Sequence, residues 1–167
     1  MPVRTIVTFP DPRLREPARP VEAFGDRLKA LAADLLDTMR AAPGIGITAP
    51  HVGVPLRLVV IALSAADGVR IYANPVIDWS SPETRAHPEG SVSMPGVSEE
   101  IERPARVRLT WQDLDGGYET GEADGLLAVC LQHEIDQLDG VFWVDRLSRL
   151  KRERVIKRFE KLRRPGR

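Results

Sequence analysis

His133 and Gln137 lie four residues apart in His133-Glu134-Ile135-Asp136-Gln137, which places both on one face of a helix. Two histidines at that spacing bind a metal ion, and a glutamate following the first serves as general base. Here the second histidine is Gln137, so the segment alone is a weak signal and reads more readily as a structural His–Glu pair. A second segment is Gly44-Ile45-Gly46-Ile47-Thr48-Ala49-Pro50-His51-Val52-Gly53. Its glycines permit close approach of another backbone. It follows a helical pattern rather than a strand, which argues against a dinucleotide site. A third is Glu89-Gly90-Ser91-Val92-Ser93-Met94-Pro95, by itself an ordinary loop entering an edge strand.

These segments need elements to position them. Leu28, Leu31, Leu35, Leu36 and Met39 predict an amphipathic helix over 25–42, ended by Pro43-Gly44. Arg57 to Leu63 reads as a buried strand, and Val69 to Ala73 as another closed by Asn74-Pro75. The Pro- and Gly-rich stretch 80–96 reads as a loop. Ala105, Val107, Leu109 and Trp111 alternate with polar residues as in a half-buried strand, and Asp115-Gly116-Gly117 turns the chain into a hairpin. A second helix is predicted over 123–138, with Gly140 past its end. The order of elements predicts an α+β fold, mostly antiparallel sheet around a central helix, in one domain spanning 1–167.

The chain has 167 residues, 43% hydrophobic and 29% charged, which excludes a disordered polymer, a coiled coil and a collagen. Twenty-four basic and 24 acidic side chains cancel. General affinity for DNA or for a membrane surface is therefore not expected. The opening MPVRTIVTFPDPRLR is broken by Pro10 and charges and is not expected to be a signal peptide. A single cysteine, Cys130, excludes a disulfide framework and points to the cytoplasm. The charge is uneven: residues 148–167 hold ten basic and two acidic side chains. Within that tail Leu150, Val155, Ile156, Phe159 and Leu162 recur at helical spacing, with Ser148 as N-cap and Pro165-Gly166 as the stop. The tail reads as an amphipathic basic helix packed on the body, its outer face either simply solvated or turned toward RNA or the ribosome.

Taken in order, the three segments resemble the signature motifs of peptide deformylase, the hydrolase that removes the formyl group from N-terminal formyl-methionine of new bacterial proteins. The family motifs read G-x-G-φ-A-A-x-Q, E-G-C-φ-S and H-E-x-x-H, with φ apolar. The resemblance runs the whole length, through Asp11-Pro12-Arg13-Leu14-Arg15, Asn74-Pro75, Arg103-Pro104 and Gly140 to Leu147. It implies a peptide deformylase-like fold with the H-E-x-x-H-type helix at its centre. It also implies formyl-methionyl or methionyl N-terminal peptides as ligands, with Ile45, Gly46, Glu89, Gly90, Val92, Val129 and Cys130 at positions lining the peptide and methionine pockets.

The departures fall on the chemistry. The family's three metal ligands correspond to Ser91, His133 and Gln137, and only His133 is a good ligand. The glutamine that orients the substrate carbonyl is His51, and the general-base glutamate is kept as Glu134. Iron, nickel or zinc needs thiolate or imidazole donors. A serine hydroxyl and a glutamine amide are weak neutral substitutes, so no tightly bound cofactor is expected. Any divalent Fe, Ni or Zn would bind weakly, or through a rebuilt site using His51 and His133, with Glu134 as a further candidate donor and His87 within approach. Without a metal, water keeps a pKa near ~15.7 rather than ~7, and no hydroxide forms at neutral pH. A further possibility is a serine–histidine pair, since ligands of one ion sit roughly 3.3–3.7 Å apart. Ser91 would then lie near His133, with the Val92 N–H as part of an oxyanion hole, but nothing in the sequence orients the histidine. The expected function is therefore an impaired deformylase or, as its rival, a non-catalytic peptide- or ribosome-binding protein.

Overall fold

Leu28, Leu31, Leu35 and Met39 form the buried stripe of α1 (Asp26–Ala41) in the structure, a computed structural model that describes residues 3–164. The strands β1 (Gly46–Thr48), β2 (Leu58–Ile61), β3 (Arg70–Ser80), β6 (Arg106–Gln112) and β7 (Tyr118–Asp124) make a sheet in the order β1-β2-β3-β6-β7. A separate hairpin pairs β4 (Thr84–Ser91) with β5 (Met94–Pro104). All these pairings are antiparallel, and with α1, α2 (Gly125–Leu138) and α3 (Arg149–Arg163) they give the expected α+β class.

Strand β2 explains the unbroken apolar run in the sequence. Leu58 and Val60 pack into the cluster built around α1, whereas Val59 and Ile61 pack into the cluster containing Leu131 and Leu138 of α2. The strand is covered on both faces, so alternation is lost. A third cluster joins Met94, Val97 and Ile101 of β5 to Phe142, Trp143, and Val155 and Phe159 of α3.

Three expectations are corrected. Asn74-Pro75 does not close β3, which continues to Ser80. Pairing with β6 shifts register between Ala73 and Val76, and Asn74 takes a left-handed φ of 50°. The irregularity accommodates Pro75, which has no N–H to give a ladder. The Asn74 side chain stabilises it by accepting from the Val21 N–H (2.8 Å) and donating to the Val21 carbonyl (2.9 Å) and to Gln112 (2.8 Å). The stretch read as loop over 80–96 instead holds β4 and the start of β5. In a two-stranded sheet every strand has a free edge, so Pro88 and Pro95 are tolerated. In α3, Ser148 caps the helix as expected, accepting from the Lys151 N–H, and Val155 and Phe159 are buried. Leu150 and Leu162, however, are 57% and 63% exposed: the helix buries side chains in the body only along its middle, while near its end Arg163 donates to the Phe9 carbonyl at 3.1 Å. The expected stop at Pro165-Gly166 lies outside the described residues. Among the described residues no helix is long and apolar enough to cross a membrane.

Candidate functional site

The segments that drew attention in the sequence converge on one cavity of about 420 Å³. The end of α1 leads into β1, whose Gly46 passes directly over α2. A Cβ at Gly46 would overlap the Glu134 carboxylate, so any larger residue would force Glu134 to move. Opposite, Gly90 brings β4 close to β5, where a Cβ would lie 2.9 Å from the Val97 carbonyl oxygen. Ile45, Gly46, Val92, Val129 and Cys130 line this cavity, as do Glu89, Gly90, Ser91, His51, His133 and Glu134. His87 also borders it, exposed, with Nδ1 2.7 Å from the Pro88 carbonyl oxygen. Ala42, Pro43, Pro88, Pro95, Val97 and Leu126 add to its apolar lining; nothing in their spacing marks them as site residues in the sequence.

Gln137 is not among the lining residues. Its side-chain amide donates to the Leu14 carbonyl at 2.6 Å and is 2% exposed. Helical spacing put it on the His133 face, but its rotamer serves the N-terminal segment. Ser91 accepts from the Ser93 N–H at 3.1 Å, and no hydrogen bond joins it to His133 among the described residues.

His133 is oriented after all. Its Nδ1 lies 2.9 Å from Glu89 Oε1, which leaves Nε2 toward the cavity. Glu89 is gripped by Arg103 through two bonds of 2.6 and 2.9 Å. Arg103 also donates to Asp136 at 2.8 Å, and Asp136 takes two bonds from Arg146. Burial disfavours charge on Glu89, but the hydrogen bonds from His133 and Arg103 outweigh it and hold the carboxyl below its ordinary value. Burial likewise opposes protonation of His133, yet the Glu134 and Glu89 carboxylates prevail and raise its pKa. Sequence reasoning missed this chain of alternating charges. Arg103 stood out there only as half of a dipeptide, and the pairs span up to 44 positions.

His51 is held from the other side. The Thr48 N–H donates to its Nδ1 at 2.9 Å, and the Thr48 hydroxyl lies 2.9 Å from the same nitrogen. A nitrogen that accepts from a backbone N–H carries no proton, so the ring is neutral with its proton on Nε2. Burial, reinforced by His133, pushes the His51 pKa down to about 3. Its Nε2 is buried without a partner, and so is Glu134 Oε1. Burial pushes the Glu134 carboxyl up to about 7. Cys130, 7% exposed, is pushed up to about 12 by burial and by the Glu134 and Glu89 charges, which makes it an inert thiol.

The residues do not fit a deformylase-type metal. The donors at the three corresponding positions are a hydroxyl, an imidazole and a neutral amide whose NH2 is already given to the Leu14 carbonyl. Among the described residues no three His, Cys, Asp or Glu side chains are grouped to hold an ion, and His51 spends Nδ1 on Thr48.

The polypeptide deformylase family model matches residues 3–153. A peptide deformylase-like protein of Bradyrhizobium diazoefficiens is 65% identical over 162 residues, covering 97% of this chain and 95% of its own. A peptide deformylase of Brucella suis is 47% identical over 165 residues, covering 97% and 94%. The crystal structure of a peptide deformylase from Legionella pneumophila superposes with a TM-score of 0.92 at 38% identity, covering 98% of this chain and all (100%) of that one. One from Synechococcus elongatus, in complex with actinonin, gives 0.90 at 36% identity, over 95% and 88%. With matches that span nearly the whole chain in sequence and in three dimensions, this protein belongs to the polypeptide deformylase family.

Proposed function

We propose that this chain keeps the deformylase family's ligand class, N-terminal formyl-methionyl or methionyl peptides, while hydrolysis is lost or strongly reduced. The observation that carries this reading is the contrast within one cavity. The apolar lining and Glu134 are in place, but Gln137 gives its amide to Leu14 and Ser91 stands where a thiolate is required. A hydroxyl and a neutral amide do not hold a divalent ion tightly, so no strongly bound Fe, Ni or Zn is expected. Water in the site then keeps its ordinary acidity, and Glu134 has no activated nucleophile to generate. Val92, Val129, Leu126 and Val97 still present an apolar wall to a methionine side chain. The protein acts in the cytoplasm on this reading.

The test is metal content and formyl-methionyl peptide turnover on freshly purified protein under anaerobic conditions, with peptide affinity measured calorimetrically in parallel. Affinity without turnover and without stoichiometric metal supports the proposal. Stoichiometric iron, nickel or zinc with rapid formate release overturns it. A second reading, docking on the ribosome, is favoured by α3, where only Val155 and Phe159 are buried and the basic side chains face outward. Co-sedimentation with ribosomes that disappears at high salt supports it.

A further inference from the structure

The exposed end of α3 faces a second space. Arg158, Lys161 and Leu162 fall at i, i+3 and i+4, so they share one side of the helix. Between that side and the start of β5 lies an open groove of about 500 Å³, lined by Gly96, Val97, Arg158, Lys161 and Leu162. Gly96 takes a left-handed φ of 89°, and a Cβ there would come within 3.0 Å of Leu162 Cδ1, so glycine lets the helix lie close. Gly96 and Val97 also line the central cavity, so the two spaces share a wall two residues long. The cations of the groove are not equivalent. Arg158 donates to the Ser98 carbonyl at 3.3 Å and lies 3.6 Å from the Glu99 carboxylate. Lys161 is exposed and forms no ion pair among the described residues. Glu160 follows on the helix but does not line the groove. The groove therefore offers one uncompensated positive charge beside the apolar Val97 and Leu162.

We propose that the groove between α3 and β5 is a downstream subsite of the cavity, where Lys161 takes a carboxylate carried by the residues that follow the N-terminal methionine of a bound peptide. The proposal rests on the reading that the cavity takes methionyl peptides, and it adds a sequence preference to that reading. An extended chain advances about 3.3–3.6 Å per residue, so a peptide leaving the cavity past Gly96 and Val97 reaches the groove within about two or three residues. There the Lys161 ammonium meets an Asp or Glu side chain or the chain's own terminal carboxylate, while Val97 and Leu162 cover its methylene groups. Arg158 already shares its charge with Glu99, so Lys161 sets the preference and Arg158 adds to it. An exposed pair of this kind contributes selectivity more than affinity. Binding of RNA would draw on cations spread along the whole helix, not on one lysine beside an apolar wall.

The experiment uses the full chain and calorimetry at low salt. The probes are N-formyl-methionyl tetrapeptide amides with one Asp at the second, third or fourth position, their Asn counterparts, and a neutral tetrapeptide with a free terminal carboxylate. At least one carboxylate-bearing peptide is expected to bind about two- to fivefold more tightly than its neutral counterpart, the range of one exposed ion pair, and to lose that advantage at high salt. An advantage confined to the free-acid peptide assigns the groove to the chain end, and one at an Asp position assigns it to a side chain; either supports the proposal. Lys161→Glu should reverse the preference toward Lys-bearing peptides at an unchanged melting temperature. Glu99→Gln, which frees Arg158 from its carboxylate partner, should strengthen the preference for acidic ones. Equal binding of acidic and neutral peptides at every position, or a preference untouched by Lys161→Glu, overturns the inference and leaves peptide binding in the cavity standing. Loss of ribosome co-sedimentation in Lys161→Glu with peptide preference unchanged gives the groove to RNA and overturns it too. Failure of every peptide to bind overturns the parent reading as well.

Discussion

Removing Arg103 separates the roles of the buried charges. Its side chain is 6% exposed and that of Glu89 3%, so Arg103→Ala strands a carboxylate with His133 as its remaining partner. Breaking one side of a buried, hydrogen-bonded ion pair costs about 3–5 kcal/mol. The outer member of the network behaves differently. Arg146 is 49% exposed and Asp136 14%, so Arg146→Ala should cost about 1 kcal/mol or less. Guanidinium denaturation is the assay. With a slope of about 4 kcal/mol per molar, Arg103→Ala should lower the midpoint by about 1 M and Arg146→Ala by a quarter of that or less.

The pH dependence has a definite sign. Glu89 is held below its ordinary value of 4.5, so its contribution is complete above that value and fades as pH falls through its folded value. The gap between wild type and Arg103→Ala should therefore be full at pH 7 and shrink below about pH 4.5. Equal costs for the two substitutions, or a gap that persists undiminished into acid, would refute this account of the network.

Three more predictions follow from the same geometry. Gly46→Ala should destabilise by about 1–3 kcal/mol and weaken peptide binding, because the new Cβ displaces Glu134; melting and calorimetry check both. Chelator treatment should leave the melting temperature unchanged, since three apolar clusters carry the fold without an ion; a drop of many degrees would contradict this. Ser91→Cys with Gln137→His should bind stoichiometric metal by elemental analysis where either change alone does not. A histidine at 137 can give its Nδ1–H to the Leu14 carbonyl and turn Nε2 to the cavity; adding His51→Gln should then raise formyl-peptide turnover.

What the sequence concealed has physical causes. Periodicity located α1, β6 and the middle of α3 because one face of each is buried. It could not show β4 and β5, whose prolines and glycines read as loop and whose pairing is secured by contacts far away in sequence. It ended β3 early because Asn74-Pro75 ordinarily stops a strand, and only the Gln112 and Val21 partners reveal why this one continues. At the site, spacing correctly placed residues 133 and 137 on one helix, but a shared face does not fix a rotamer. The Leu14 carbonyl that captures Gln137 lies 123 positions away. The tautomer of His51 was equally hidden, since it depends on a backbone N–H three residues earlier and not on side-chain types.

The survival of Glu89, Arg103, Asp136 and His133 beside altered donor positions is not in itself a sign of retained catalysis. A buried charge network is a weak net stabiliser, but no single member can be lost without stranding the others. Mutation can thus change Ser91 and Gln137, which leave no buried charge unpaired, far more cheaply than it can change Arg103. His51 and Glu134 are the informative pair, because their free atoms stabilise nothing in the folded chain. Stability gives no reason to keep two unpaired polar atoms buried beside one cavity, and an apolar side chain at either position would remove the cost.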